Sequence, residues 1–281
     1  MYLVVQSPLL TDADITGVVA LCEVTGHERL GATAARIGAQ RCVTGVAEYC
    51  AARKLDFAWV PEDRLLEDVG LVTMDMDSTL ITIECIDEIA GMQGIKPQVA
   101  AITASAMRGE IDFAESLWRR VALLAGLDMT AVQRVYDERL RLSPGAEAML
   151  AAFRAVGAKS LLVSGGFTFF TERLKERLGL DYTLSNVLEV EAGRLTGRVA
   201  GAIVDAAAKA VAMKALRAEP WMRKKLAVGV GDGANDLPML AEADVSIAYH
   251  AKPVVRDKTT HQIDHCGLDA VVNLFTGVRH R

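Results

Sequence analysis

From about Gly70 onward the chain alternates two kinds of segment, and this alternation limits its possible folds more than any other feature. "GLVTMD" (70–75), "KSLLV" (159–163), "KLAVGV" (225–230) and "VSIA" (245–248) are short, apolar and bounded by turn residues. Such continuous apolar runs suit strands buried on both faces of a parallel sheet. Between them lie segments of helical period with marked ends. Ser143-Pro144 is expected to open one, with serine as N-cap and proline in the first turn, and Gly157 to stop it. "TFFTERLKERLGL" forms a second, ending at Gly179. Strands alternating with helices predict a doubly wound parallel α/β sheet.

Two segments interrupt the alternation. Residues 92–140 contain no strand-like run and predict an all-helical insertion, a cap placed after the first strand of the main domain (70–281). "NVLEVEAGRLTGRVAG" (186–201) alternates apolar and polar residues around Gly193 and predicts a β-hairpin. Residues 1–69 form a separate small α+β unit. In it "MYLVVQ" reads as a strand, "DADITGVVALCEVTG" as a helix and "RLGATAARI" as a second strand or a helix. Nothing in this unit carries evident chemistry. It is expected to be regulatory or to assist dimerisation, which leaves a homodimer open.

Composition narrows the function. Hydrophobic residues make up 51% and charged residues 24%, which supplies a large core and argues against disorder. A net charge of -5 offers no positive field for nucleic acid or an anionic membrane surface. No apolar run approaches the roughly 18–20 residues that span a bilayer. The opening "MYLVVQSPLLTDAD" lacks the basic start of a signal peptide. Five cysteines without a C-x-x-C argue against a disulfide framework or a zinc site and favour a reducing cytoplasm. His261-x-x-x-His265-Cys266 has one metal-like spacing but no second ligand pair, and reads as a solvated loop.

Chemistry gathers at the strand tips, where open α/β sheets bind their ligands. After the first strand come Asp75 and Asp77. After the second come Ser164, Gly165 and Gly166. After the third come Gly231, Asp232, Gly233, Asn235 and Asp236. If the strands are neighbours, Asp75, Asp77 and Asp232 meet, and three unpaired carboxylates in one cleft raise each other's pKa. A hard divalent cation relieves this, and oxygen ligands with room for water suit Mg2+. Taken singly, Asp75 or Asp232 serves equally well as a helix cap; their convergence favours the cation. Serine and glycine at strand–helix turns cradle anions. A phosphoryl group beside Mg2+ needs one further fixed cation. Lys209, in "DAAAKAVAMKAL" (205–216), is the candidate, although spacing does not separate it from Lys214.

"DMDST" (75–79), "VSGGF" (163–167), the helical lysine and "GDGAND" (231–236), in that order, resemble the four motifs of the haloacid dehalogenase-like phosphatases. "MDMDSTLITIECIDEIAG" (74–91), "AMRGEIDFAESLWRRV" (106–121) and "VGVGDGANDLPML" (228–240) are similar to those members of the family that act on O-phosphoserine. The resemblance covers about residues 70–275. It leaves out residues 1–69, where bacterial members often carry a small domain, sometimes of the amino-acid-sensing ACT type.

The resemblance implies a Mg2+-dependent phosphatase that releases L-serine and phosphate from O-phospho-L-serine, the last step of serine biosynthesis. Asp75 is then the nucleophile that becomes an aspartyl-phosphate, and Asp77 the general acid and base. Mg2+ falls to Asp75, the backbone carbonyl of Asp77 and Asp232, with Asp236 in support. Ser164, the Gly165 amide and Lys209 hold the phosphoryl oxygens, and Asn235 orients the phosphate or Lys209. By motif match Glu84 takes the amino group of serine and Arg120 its carboxylate, a pairing that suits the two-pronged guanidinium. Met107 and Phe113 form an apolar lid.

Rival readings have weaker support. Another phosphatase of this fold, or a phosphotransferase, carries the same four motifs and lacks only the Glu84 and Arg120 match. An ion pump needs membrane helices. Gly229-Val-Gly231-Asp-Gly233-Ala234 fits a dinucleotide fingerprint loosely, but Pro238 interrupts the short helix that follows and an acid stands where pyrophosphate would lie. Asp75-x-Asp77-x-Thr79 opens like a calcium loop, but Leu80 replaces the obligatory glycine.

Overall fold

The computed structural model describes residues 1–39 and 43–277. The chain begins with a four-stranded antiparallel sheet made of β1 (Tyr2–Gln6), β2 (His27–Arg29), β3 (Ala34–Gly38) and β4 (Asp56–Val60), in the order β2-β3-β1-β4. Helices α1 (Asp12–Leu21) and α2 (Val46–Arg53) complete a β-α-β-β-α-β, ferredoxin-like arrangement. A reciprocal cap starts α1: the Thr11 hydroxyl accepts from Asp14 N, and the Asp14 carboxylate accepts from Thr11 N. Leu3, Val5, Ile15, Val18, Ile37 and Val46 are buried together between sheet and helices. "RLGATAARI" (29–37), open between strand and helix, is a strand: Arg29 ends β2, a turn follows, and Ala34–Ile37 form most of β3. Neither α2 nor β4 was anticipated.

The second sheet has seven strands: β5 (Val69–Met74), β6 (Lys159–Phe167), β7 (Tyr182–Glu191), β8 (Arg194–Ala200), β9 (Leu226–Gly231), β10 (Val245–Tyr249) and β11 (His261–Ile263). Their order is β11-β10-β9-β5-β6-β7-β8, parallel except for the β7–β8 hairpin. Every residue of β5 is buried, as a strand covered on both faces requires. The hairpin turns through Ala192 and Gly193, both at positive φ (47° and 77°), the pattern of a type I′ turn. The chain runs from β5 to β6 on one side and later returns to β9 on the other. The tip of β5 is thus a switch point, where such sheets open a crevice.

Between β5 and β6 lie α3 (Cys85–Met92), α4 (Lys96–Met107), α5 (Phe113–Ala122) and α6 (Met129–Arg134). Among the described residues no strand falls between 85 and 140. Helices α7 (Ala146–Ala155), α8 (Thr168–Leu178) and α9 (Ala206–Arg217) pack on the sheet. Both expected helix ends hold: Gly157 and Gly179 take φ of 78° and 63°. The expected start does not. Gly145, at φ 76°, is the N-cap of α7, while the Ser143 hydroxyl is drawn away to donate to Thr79 O.

The 261–266 segment is not a solvated loop. His261 is buried in β11, and the Asp56 carboxylate of β4 accepts from the amides of Asp264, His265 and Cys266. This clasp, with Arg36 donating to Phe275 O and Asn273 to Gln6, ties the first sheet to the second. No helix among the described residues is long and apolar enough to cross a membrane.

Candidate active site

Asp75 directly follows β5 and is 6% exposed. Its Oδ1 accepts from Met76 N at 2.8 Å and lies 2.7 Å from Lys209 Nζ. Its Oδ2 receives no hydrogen bond from any described residue. Lys209 projects from the first turn of α9, 1% exposed, and also donates to Asp236 Oδ1 at 2.7 Å. Burial pulls the ammonium pKa down, but the two carboxylates outweigh it and hold it above the usual lysine range. Lys214 is exposed and pairs with Glu242 at the surface, so the structure separates two lysines that spacing did not.

Beyond Asp75 the chain makes one irregular turn, with Ser78 at φ 58°, before α3 begins. Asp77 is turned back by that irregularity. Its Oδ2 accepts from Cys85 N at 3.3 Å at the start of α3, and its buried Oδ1 has no partner among the described residues. Burial, then the neighbouring Glu84 charge, pushes its pKa up to about 7. Asp232, at the tip of β9, accepts from the Thr79 hydroxyl at 3.0 Å; burial and Asp236 push it to about 6. Burial, then the Asp236 charge, raises Asp75 well above the ordinary range.

Asp236 has both oxygens engaged: Oδ1 by Lys209, Oδ2 by the amides of Asp232 and Gly233. Carboxyl oxygens of Asp75, Asp232 and Asp236 lie within 4.8 Å of one another. A largely buried acidic cluster, in which Oδ2 of both Asp75 and Asp232 has no hydrogen bond from any described residue, suits a divalent cation, whose charge would relieve the repulsion. Asp236 fits a supporting place because its oxygens are already committed.

Ser164, Gly165 and Gly166 lie within β6 rather than in the turn after it, and the pairing of β6 with β7 slips between Val163 and Phe167. At this slip the Ser164 hydroxyl accepts from Gly166 N at 2.9 Å. Close approach explains the glycines: a Cβ on Gly165 would lie 2.9 Å from the Phe113 ring, and one on Gly166 2.8 Å from Met76 Cε.

Asp75, Asp77, Asp232 and the Ser164–Gly166 segment line a cavity of about 510 Å3 beneath α4 and α5. Glu84, Met107, Phe113, Arg120 and Asn235 line it too. Glu84 stands exposed at the mouth and accepts from the Ser78 hydroxyl at 2.7 Å. Arg120 anchors Nε on Ser116 O at 3.2 Å, and burial lowers its pKa. No carboxylate among the described residues lies within ion-pair distance of its guanidinium. Arg119, by contrast, is exposed and paired with Glu115 one turn back. Met107 is 71% exposed at the end of α4, whereas Phe113 is half-buried at the start of α5.

Two charged cavity residues, and two polar residues outside its lining, escaped the sequence reading. Asp87 follows Glu84 by three residues, a spacing that shares a helix face. Lys252 precedes Pro253, and its amide donates to Asp232 O. Thr79, inside the first motif, is fully buried and donates to Asp232. A fourth residue, Asn186, acts from outside the cavity: it donates to Gly165 O at 2.9 Å.

A model of the haloacid dehalogenase-like hydrolases matches residues 72–241. The phosphoserine phosphatase of Albidiferax ferrireducens is 52% identical over 215 residues, 75% of this chain and 91% of that protein. The unliganded crystal structure of a probable phosphoserine phosphatase from Vibrio cholerae aligns with TM-score 0.84 and 36% identity, covering 97% of this chain and 85% of that one. A phospho-aspartyl intermediate analogue of phosphoserine phosphatase aligns with TM-score 0.68 and 36% identity, over 74% of this chain and 99% of that one.

Proposed function

This chain belongs to the haloacid dehalogenase-like hydrolase family, and from that premise we propose that it hydrolyses O-phospho-L-serine to L-serine and phosphate through an aspartyl-phosphate on Asp75. The observation that carries the reading is the meeting of a lysine-held Asp75, an Asp77 balanced near neutrality and the Ser164–Gly166 cradle in one cavity. Relatives named as phosphoserine phosphatases supply the substrate.

A carboxylate oxygen of Asp75 attacks phosphorus while Lys209 steadies the carboxylate. The bond from phosphorus to the serine oxygen breaks, and protonated Asp77 gives its proton to that oxygen. Serine leaves. Asp77, now a carboxylate, takes a proton from water as the water oxygen attacks phosphorus. The bond to Asp75 breaks, releasing phosphate and restoring both acids. A pKa of about 7 lets Asp77 play both parts. The Ser164 hydroxyl, the Gly165 amide and Lys209 bind the phosphoryl oxygens, and Asn235 orients them. Asp75, the Asp77 carbonyl and Asp232 would hold Mg2+, with Asp236 in support; when bound, this ion would supply positive charge against the developing negative charge.

Glu84 receives the substrate ammonium and Arg120 its carboxylate, which answers the guanidinium's lack of an ion pair. Met107 and Phe113 close over the anhydride and keep water out. We read residues 92–140 as the cap and residues 1–69 as a unit that regulates the enzyme or joins two copies. We place the protein in the cytoplasm, in keeping with the free thiols of Cys22, Cys50, Cys85 and Cys266.

Phosphate release from L-phosphoserine, phosphothreonine and p-nitrophenyl phosphate, each with Mg2+ or EDTA, tests the reading. Mg2+-dependent preference for phosphoserine is expected. Turnover of the aryl phosphate alone would keep the chemistry and discard the substrate.

A further inference from the structure

Asn186 is 1% exposed and belongs to β7, outside the cavity and outside all four motifs. Its side chain is fully used. Nδ2 donates to Gly165 O at 2.9 Å and to Val204 O at 3.4 Å, and Oδ1 accepts from Val204 N at 2.8 Å. Both ends of this bridge lead to the phosphoryl cradle. Val204 precedes Asp205, whose carboxylate caps α9 by accepting from Ala208 N, and Lys209 is the next residue along that helix. Gly165 is the middle of the Ser-Gly-Gly segment.

The Gly165 end carries the mechanical argument. A trans peptide is rigid and planar, with its C=O and N–H pointing in opposite directions. Asn186 holds the Gly165 carbonyl, so the Gly166 N–H of the same peptide is aimed the other way, into the Ser164 hydroxyl at 2.9 Å. With that oxygen already accepting, the Ser164 proton is left to donate elsewhere. Regular pairing with β7 is lost between Val163 and Phe167 and resumes where Phe167 faces Asn186, so no strand ladder fixes this peptide. The Asn186 side chain replaces that ladder.

We propose that Asn186 is a positioning residue for phosphoryl transfer. By clamping the Gly165–Gly166 peptide and the entry to α9, it turns the Ser164 proton toward the phosphoryl group and keeps Ser164 in register with Lys209. This rests on the phosphatase reading and adds to it a residue that never touches substrate. Because the clamp serves the phosphoryl group and not the amino acid, its loss harms every phosphate ester alike.

The test is a double-mutant cycle on the full chain with Mg2+. It uses Asn186→Leu, which is near-isosteric and uncharged, Ser164→Ala, and the pair, with phosphoserine and p-nitrophenyl phosphate as substrates. N186L alone should lower kcat on the order of 10-fold to 100-fold on both esters, the range expected when a donor is misplaced by about an ångström. In the S164A background the same change should cost less than about threefold, because the hydroxyl it positions is gone. A merely structural role would multiply the two losses; that result overturns the proposal, as does wild-type kcat in N186L. Should N186L fail to fold by circular dichroism, Asn186→Ser takes its place and is judged by the same cycle. Failure of the wild-type chain to hydrolyse any ester would instead sink the phosphatase reading on which this proposal stands.

Discussion

Lys209→Met takes a buried ammonium from between two carboxylates and leaves the apolar stem in place. Nζ lies 2.7 Å from Asp75 Oδ1 and 2.7 Å from Asp236 Oδ1, in a residue 1% exposed, so solvent does not replace the lost charge. Removing one partner from a buried ion pair costs about 3–5 kcal/mol. At roughly 2 °C per kcal/mol, the low end for a long chain, melting of the metal-free protein near pH 8 falls by about 6–10 °C. Near pH 5 the loss should shrink, for a definite reason. Burial already raises Asp75 above the ordinary aspartate value of 3.8, and loss of the ammonium raises it further. The folded variant then holds protons that the unfolded chain releases. Such a group lends stability below its folded pKa, and that stability is lost as pH rises through it. Turnover should fall about 10²–10³-fold with the loss of a preorganised charge. Calorimetry at both pH values and phosphate release by the variant measure these effects. Equal melting shifts at the two pH values, or near wild-type turnover, would refute the reasoning.

Arg120→Ala should lower kcat/KM for phosphoserine by about 30-fold or more, the equivalent of about 2 kcal/mol for truncating one partner of a buried charge pair. Hydrolysis of p-nitrophenyl phosphate should change by less than about threefold, and equal losses on both esters would mean that Arg120 does not read the amino acid. The metal-free protein should melt at a lower temperature near pH 7 than near pH 5. Asp232 and Asp77 stand at about 6 and about 7 when folded, against 3.8 for an ordinary aspartate, so folding binds protons in that window and stability falls as pH rises through it. Asp232 alone accounts for about 3 kcal/mol over its whole titration, of which roughly 1.3 kcal/mol falls between pH 5 and pH 7. Added Mg2+ should restore more stability near pH 7 than near pH 5, as thermal melts with and without EDTA will show.

The parallel sheet was legible because its strands are buried on both faces, and burial writes itself as unbroken apolar runs. Helix ends were legible where glycine at positive φ stops a helix, as at Gly157 and Gly179. Ser143-Pro144 misled because a serine hydroxyl serves any nearby acceptor, and Thr79 O outcompeted the local helix. In the first 69 residues, β2 is three exposed residues and α2 is capped by glycine without a side-chain bond, so neither leaves a strong pattern. At the site, residue type and order located the Asp75, Asp77 and Asp232 tips, but not choices that depend on helix phase. Lys209 and Lys214, and Arg120 and Arg119, differ in helix phase: Lys209 is buried against Asp75 and Asp236 and Arg120 lines the cavity, while Lys214 and Arg119 pair with acids at the surface. Asn186 left no local signal, since all its partners lie at least 18 residues away in sequence.

The central claim is a covalent phosphoryl group on Asp75. Rapid quenching with O-phosphoserine labelled at phosphorus, followed by acid peptide mapping, tests it most directly. The account predicts a transient label on the peptide carrying Asp75, released by hydroxylamine and absent in Asp75→Asn. Label at another residue, or steady phosphate release by the Asp75→Asn protein, would contradict it.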